Sequence, residues 1–164
     1  MFKVGDKVVY GLTGVCEITD ICEKELIRKS RREYYVLKPF FEQNNVIYAP
    51  IDNDKLFIRK LITKQEADDL ISKIPDIVNE IDYEIANAED YRKELEAHKN
   101  ESLVKLTALI YEKKLVAHSN KKRLNSSDEK FMRIAEHLLF GELSVALGIE
   151  YDAVEDYIKQ RLEK

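Results

Sequence analysis

Two cysteines, three histidines and several clustered carboxylates carry the side chains that catalysis or metal binding would need, and their spacing supports neither. Cys16 and Cys22 lie in one predicted strand on the same parity. Six residues of strand span roughly 20 Å, so they cannot bridge while extended. His98, His118 and His137 fall outside any metal-ligand spacing, and no CxxC occurs. Glu80 and Glu84 form an i, i+4 pair, but no histidine or nucleophile accompanies them at a useful spacing, so they read as a solvated helix face. The chain lacks a glycine-rich phosphate loop, a GxSxG and an HExxH, and it has only five glycines. The expectation is a protein without enzymatic activity, metal or cofactor, its thiols small and apolar in a reducing compartment.

The chemistry that remains is binding. Tyr34 to Ile51, YYVLKPFFEQNNVIYAPI, reads as two strands reversed across Glu42-Gln43-Asn44-Asn45, since Asn tolerates left-handed dihedrals and bonds its own backbone. Pro50 places the second strand at a sheet edge or at its own end. Strict alternation buries only one of the sets Val46/Tyr48 and Ile47/Ala49, so the other needs a cover. An apolar edge of this kind suits docking by another chain. The candidate contacts are Val46, Ile47, Tyr48 and Pro50. Lys24, Arg28 and the rest of the basic connector IRKSRR (Ile27 to Arg32) would face an acidic partner.

Charge is unevenly spread. The whole chain is −4, from 27 Lys and Arg against 31 Asp and Glu, which disfavours indiscriminate polyanion binding. Residues 1–63 are +2, residues 64–101 are −7, residues 102–137 are +4 and residues 138–164 are −3. Lys113, Lys114, Lys121, Lys122, Arg123, Lys130 and Arg133 make up a basic set. It reads either as a solvated face or as phosphate contacts near a helix start at Ser126-Ser127. Arg92 and Lys93 would add to it, but Glu89, Asp90, Glu94 and Glu96 surround them.

These residues need elements to hold them. Lys7 to Tyr10, Val15 to Glu23, the Tyr34–Ile51 hairpin and Leu56 to Leu61 are strand patterns separated by Gly and Asn turns, which predicts a small twisted sheet or SH3-like barrel. Cys16, Ile18 and Cys22 would share one face of the second strand. At Thr63-Lys64-Gln65-Glu66 a capping box opens a helical region. Leu70, Ile71 and Ile74 mark a first helix that Pro75 ends or restarts. Ile77, Ile81, Ile85, Ala88, Tyr91 and Leu95 make a stripe. Leu103, Val104, Leu106, Ala108, Ile110, Tyr111 and Leu115 give a wide face that must be largely buried. Ser126-Ser127-Asp128-Glu129 reads as another capping box. The stripe from Phe131 to Ala146 closes at Gly148, and Val154, Tyr157, Ile158 and Leu162 define a last helix. The expected class is α+β: a β-rich domain over residues 1–62 and a bundle of four or five helices over 63–164. No apolar run reaches the ~18–20 residues of a membrane span. MFKVGDKVVYG lacks the apolar core of a secretory signal, so the expected location is cytoplasmic.

With those segments in order, the chain resembles the CarD/CdnL-like bacterial transcription regulators, whose N-terminal module is similar to the RNA-polymerase-interacting domain of transcription-repair coupling factors. The residues that carry the resemblance are Phe2 to Tyr10 with Gly14, Glu33 to Leu37, and Val46 to Pro50. Tyr91-Arg92 and Leu138 to Leu143 carry it in the helical half. The resemblance implies a Tudor-like module that binds the β-subunit lobe of RNA polymerase partly by strand pairing. It also implies a helical domain at promoter DNA and a role in open-complex stability. DNA contacts would then fall on Asn87, Arg92, Lys93, Lys121, Lys122, Arg123, Lys130 and Arg133. Where the family places an apolar Trp wedge, this chain has Asn87 and no Trp at all. The other reading is a protein–protein adaptor with a peptide-binding barrel and an acidic helical domain.

Overall fold

A computed structural model describes residues 1–42, 44–52, 57–83 and 87–163. It divides into two compact units, Met1–Ile62 and Thr63–Lys164. The first is an antiparallel sheet of β1 (Lys7–Tyr10), β2 (Gly14–Ile27), β3 (Ser30–Pro39), β4 (Ile47–Pro50) and β5 (Ile58–Lys60), in the order β4-β3-β2-β1-β5. The second holds α1 (Lys64–Asn79), α2 (Ala88–Glu96), α3 (Asn100–Ser119), α4 (Ser126–Leu147) and α5 (Val154–Leu162), with a short 3-10 turn before α5. The class is α+β, as expected. Gln43 in the predicted turn, Leu56 in the last predicted strand, Glu84 of the carboxylate pair and Ile85 of the helical stripe lie outside the described residues.

Local chemistry explains the turns of the sheet. Gly5, at φ 94°, lets the chain reverse before β1. Lys3 N–H donates to the Asp6 carboxylate (2.9 Å), and Asp6 N–H returns to Lys3 C=O (3.0 Å). The loop between β3 and β4 closes through Asn45 N–H to Glu42 C=O (3.1 Å), with the Asn45 amide on the Glu42 carboxylate (2.6 Å). Val8, Cys16, Ile18, Tyr35, Leu37 and Ala49 form the core, and Ile21 and Ile47 pack against it. Burying each such aliphatic side chain stabilises the sheet by about 1.5–3 kcal/mol.

Two strand predictions need correction. Cys22 does not share the face of Cys16 and Ile18. The ladder pairs Ile18 with Leu37 and then Asp20 with Val36, so Thr19 is an extra residue that reverses the parity of β2. Ile21 then faces the core beside Tyr35, while Cys22 lies opposite Tyr34 on the other face. The basic connector is also mostly strand. β2 runs through Ile27 and β3 starts at Ser30, leaving only Arg28 and Lys29 in the turn. Lys29 takes φ 65°, and its N–H is held by the Glu25 carboxylate (2.6 Å).

The helical unit departs from its periodicity in four places. α1 continues through Pro75, which neither ends nor restarts it, because the buried Leu70, Ile71 and Ile77 hold both sides of the proline in place. The stripe from Ile77 to Leu95 is not one helix. α1 stops at Asn79, and α2 starts afresh at Ala88 with Asn87 as its N-cap, whose side-chain oxygen accepts the Asp90 N–H (3.0 Å). The wide face of α3 is buried only in its first half. Leu103, Val104, Leu106, Leu109 and Ile110 are buried, whereas Tyr111, Leu115 and Val116 are about half exposed. Finally, the cap of α4 is Asn125, not Ser126, and its oxygen accepts the Asp128 N–H (2.8 Å). The other expected ends agree: Thr63 Oγ1 accepts Glu66 N–H (3.1 Å), and Gly148, at φ 70°, closes α4.

Candidate functional site

β4 lies at one end of the sheet order, with β3 on one side and no described strand on the other. Tyr34 pairs with Pro50, Tyr35 with Ala49, Val36 with Tyr48 and Leu37 with Ile47. Just beyond the ladder, Ile51 N–H donates to Glu33 C=O (3.1 Å). Bonded and non-bonded pairs alternate in an antiparallel ladder, so Ala49 and Ile47 bond inward to β3. The backbone N–H and C=O of Tyr48 and the C=O of Pro50 point to the open edge. Pro50 therefore removes no ladder bond, which is why a proline is tolerated there.

The side chains of β4 divide as alternation requires. Ala49 is buried and Ile47 is half-buried against the core, so Ile47 turns most of its side chain inward. Val46, just ahead of the strand, is 55% exposed, and Tyr48 lies on the outer face. The Tyr48 ring meets the buried Tyr34 edge-on, with centroids 6.5 Å apart. Lys24 brings its Nζ to 4.2 Å from the centre of the Tyr48 ring and donates to the hydroxyl (2.9 Å). That hydroxyl is the main reason the Lys24 ammonium is held above its ordinary pKa. Lys24, Tyr48 and the open backbone groups thus form one surface of backbone donors and acceptors and positive charge beside an apolar strip. Such a surface fits an extended segment that brings its own backbone N–H and C=O groups together with carboxylates.

Arg28 is not part of this surface. β4 leaves β3 at Tyr34, and the Arg28–Lys29 turn lies five or six residues further out, roughly 15–20 Å along the ribbon. Sequence reasoning placed Lys24 near the edge as a charge only. Its contact with Tyr48 depends on the bulge at Thr19, which turns Lys24 toward the outer face. No residue-type pattern signals that contact.

The predicted DNA residues are dispersed. Asn87 is committed to capping α2. Arg92 and Lys93 are exposed on α2, where Lys93 shares a cavity of about 310 Å³ with Glu80, Asp82, Asp90 and Glu94. Lys121 and Lys122 are exposed in the connector after α3, and Lys130 is exposed on α4. Arg123 and Arg133 are brought together on a second cavity of about 300 Å³.

The start of α4, read as a phosphate contact, already holds an anion. Asp128 is buried, and its carboxylate accepts the Asn125 amide (3.0 Å) and pairs with Lys113 (3.5 Å). A carboxylate at that position already answers the positive end of the helix. Behind it, Tyr91 is 1% exposed, with Phe131 edge-on (5.3 Å) and the Lys113 ammonium 5.2 Å from its ring centre. The Tyr91 hydroxyl is buried without a hydrogen-bond partner, yet it lies close enough to Lys113 and Asp128 to feel both charges. Burial holds the Tyr91 phenol above its usual range. At Lys113 burial acts downward, but the Tyr91 hydroxyl and the Asp128 carboxylate outweigh it. This cluster holds α2, α3 and α4 together, and the sequence signals it only through the Asn125–Asp128 spacing.

Among the described residues no group of three or more His, Cys, Asp or Glu is arranged to hold a metal ion, and no helix is long and apolar enough to cross a membrane. Residues 2–62, the span of the sheet unit, match the family described as the CarD-like/TRCF RID domain. The sequence resemblance is therefore shown over that unit. No curated protein matches the chain.

Proposed function

Because the sheet unit matches an RNA-polymerase-interaction domain, we propose that this chain is a transcription regulator that docks the open edge of β4 on a strand of the polymerase β-subunit lobe. The observation that carries the reading is the edge itself. β4 presents the N–H and C=O of Tyr48 and the C=O of Pro50 outward, with Lys24 and Tyr48 joined beside them and Val46 exposed at the strand entry. Each backbone bond to an incoming strand contributes about 0.5–1.5 kcal/mol net, and Lys24 adds attraction for an acidic partner. The bound protein then alters the stability of the open promoter complex without enzymatic chemistry. Promoter contact by the helical unit rests on phosphates met by Lys121, Lys122 and Lys130, because Asn87 is spent as a cap and leaves no wedge.

The test is capture of the full chain by the isolated β lobe. Val46→Asp combined with Tyr48→Asp places carboxylates on the edge while sparing the core residues Ile47 and Ala49. Loss of capture with unchanged circular dichroism is the expected result. Undiminished capture rules out the β4 edge as the docking strand. Open-complex lifetime with and without the protein then reads the regulatory step, and an unchanged lifetime removes it.

A further inference from the structure

The end of α3 and the first half of α4 border an open surface recess of about 300 Å³. Lys114 and His118 reach it from successive turns of α3, Arg123 from the connector and Arg133 from α4. None of these four has an ion-pair partner among the described residues. Two carboxylates, Glu129 and Glu136, complete the polar lining, and Leu124 and Met132 supply its apolar part. Three fixed cations and a histidine thus face two carboxylates around one recess, in a chain whose overall charge is −4.

These four side chains come from three separate segments and are exposed, so solvent screens much of their mutual repulsion. An anion bound among them relieves the remainder and displaces little protein. Guanidinium groups at Arg123 and Arg133 offer forked donors that match phosphate oxygens, and Lys114 and His118 add single donors. The carboxylates set the rest of the ligand. A bare polyanion threading the recess would run against Glu129 and Glu136. A compact molecule with phosphate at one end and amine or hydroxyl donors at the other satisfies both signs. Glu136 is itself held above its usual pKa by burial and by the nearby Glu155, with Lys114 opposing, so its charge is already costly where it stands. The volume accommodates a small metabolite and lies at the lower end of the range for ligand pockets.

We propose that this recess binds a phosphomonoester of about mononucleotide size, through Lys114, His118, Arg123 and Arg133 on its phosphate and Glu129 and Glu136 on its donor groups. The site is separate from the β4 edge and does not depend on it.

The probe is adenosine 5′-monophosphate, titrated into the full chain by calorimetry and by amide chemical-shift mapping, with adenosine, inorganic phosphate and a short DNA duplex as parallel arms. Expected are saturable binding of the monophosphate, shifts centred on residues 114–118 and 123–136, and at least tenfold weaker binding of adenosine. Arg123→Gln and Arg133→Gln should each weaken the monophosphate about tenfold or more, the loss of one charge-assisted contact. Lys73→Gln, an exposed change on α1 that does not line the recess, should leave binding unchanged. Equal or absent binding of both adenosine compounds overturns the proposal, as does indifference to Arg123→Gln and Arg133→Gln. Shifts at these residues with the duplex but not the monophosphate also overturn it, and assign the cations to the DNA backbone instead.

Discussion

Asn87 is where the family resemblance and the folded chain make different demands, so its substitution gives the most informative stability measurement. Its side-chain oxygen accepts the Asp90 N–H at 3.0 Å and closes the first turn of α2, a helix of nine residues. That helix delivers the buried Tyr91 and Leu95 to the bundle. Asn87→Ala leaves an N–H at an exposed helix end to water, and replacing such a cap by Ala costs about 1 kcal/mol. In a domain of this size that lowers the melting temperature by about 4–8 °C. Asn87→Gly should cost only a few tenths of a kcal/mol, and Asn87→Asp should match the parent, since Asp caps as well as Asn and its charge suits the helix start. Asn87→Trp supplies the apolar residue that the resemblance implies but loses the cap, so it should melt with Asn87→Ala. Far-UV circular dichroism during thermal and urea unfolding reads the helical unit directly. An order in which Asn87→Ala keeps full stability while Asn87→Asp loses it would refute the capping argument, and with it the reason given for the missing wedge.

Other outcomes follow from the same structure. A thiol reagent should label Cys22 in the native protein and leave Cys16 untouched until unfolding, because Cys16 is fully buried and its thiol is pushed up to about 12 by burial and by Glu42; fast labelling of both counts against the sheet core. Tyr157→Phe removes the bond from the Tyr157 hydroxyl to Asp68 (2.7 Å) and should destabilise the helical unit by about 1–2 kcal/mol, read by urea unfolding. The Tyr157 phenol is raised above 10.0 first by that bond, and Tyr91 by burial, so both stay protonated in the fold after the unfolded chain begins to ionise. Their contribution is complete below pH 10 and is lost as pH rises through the folded values; stability that climbs in that alkaline window contradicts the assignment. Pro75→Ala restores a missing donor inside α1 and should stabilise the protein by up to about 3 kcal/mol, shown by a higher urea midpoint.

Much of the fold is legible in the residues because it depends on short-range rules. Turn chemistry at Gly5 and Asn45, the Thr63 cap and the Gly148 stop each act within a few positions, and each appears where the sequence puts it. The two periodicities separate sheet from helix at the boundary between Ile62 and Thr63. Periodicity misleads where a local event interrupts the pattern. One extra residue at Thr19 reverses which face Cys22 occupies, and period-two reasoning assumes no such residue. Ile77 to Leu95 keeps helical spacing although Asn87 starts a new helix inside it, since spacing is blind to a cap. Pro75 reads as a breaker because propensity counts its lost bond but not the burial of Leu70, Ile71 and Ile77 around it.

The sequence by itself determined that the chain is a sheet unit followed by helices, that the former carries an apolar β4 strand ending in proline, and that positive charge gathers between residues 102 and 137. Only the tertiary structure decided that β4 is an edge, which of its side chains face the core, and that Lys24 lies on the Tyr48 ring. It alone set Arg123 and Arg133 beside Lys114 and His118, and Lys93 among carboxylates. The physical reason is range. Capping, turns and periodicity are settled by neighbours along the chain, whereas a binding surface is made of residues whose proximity depends on strand order, register and helix packing.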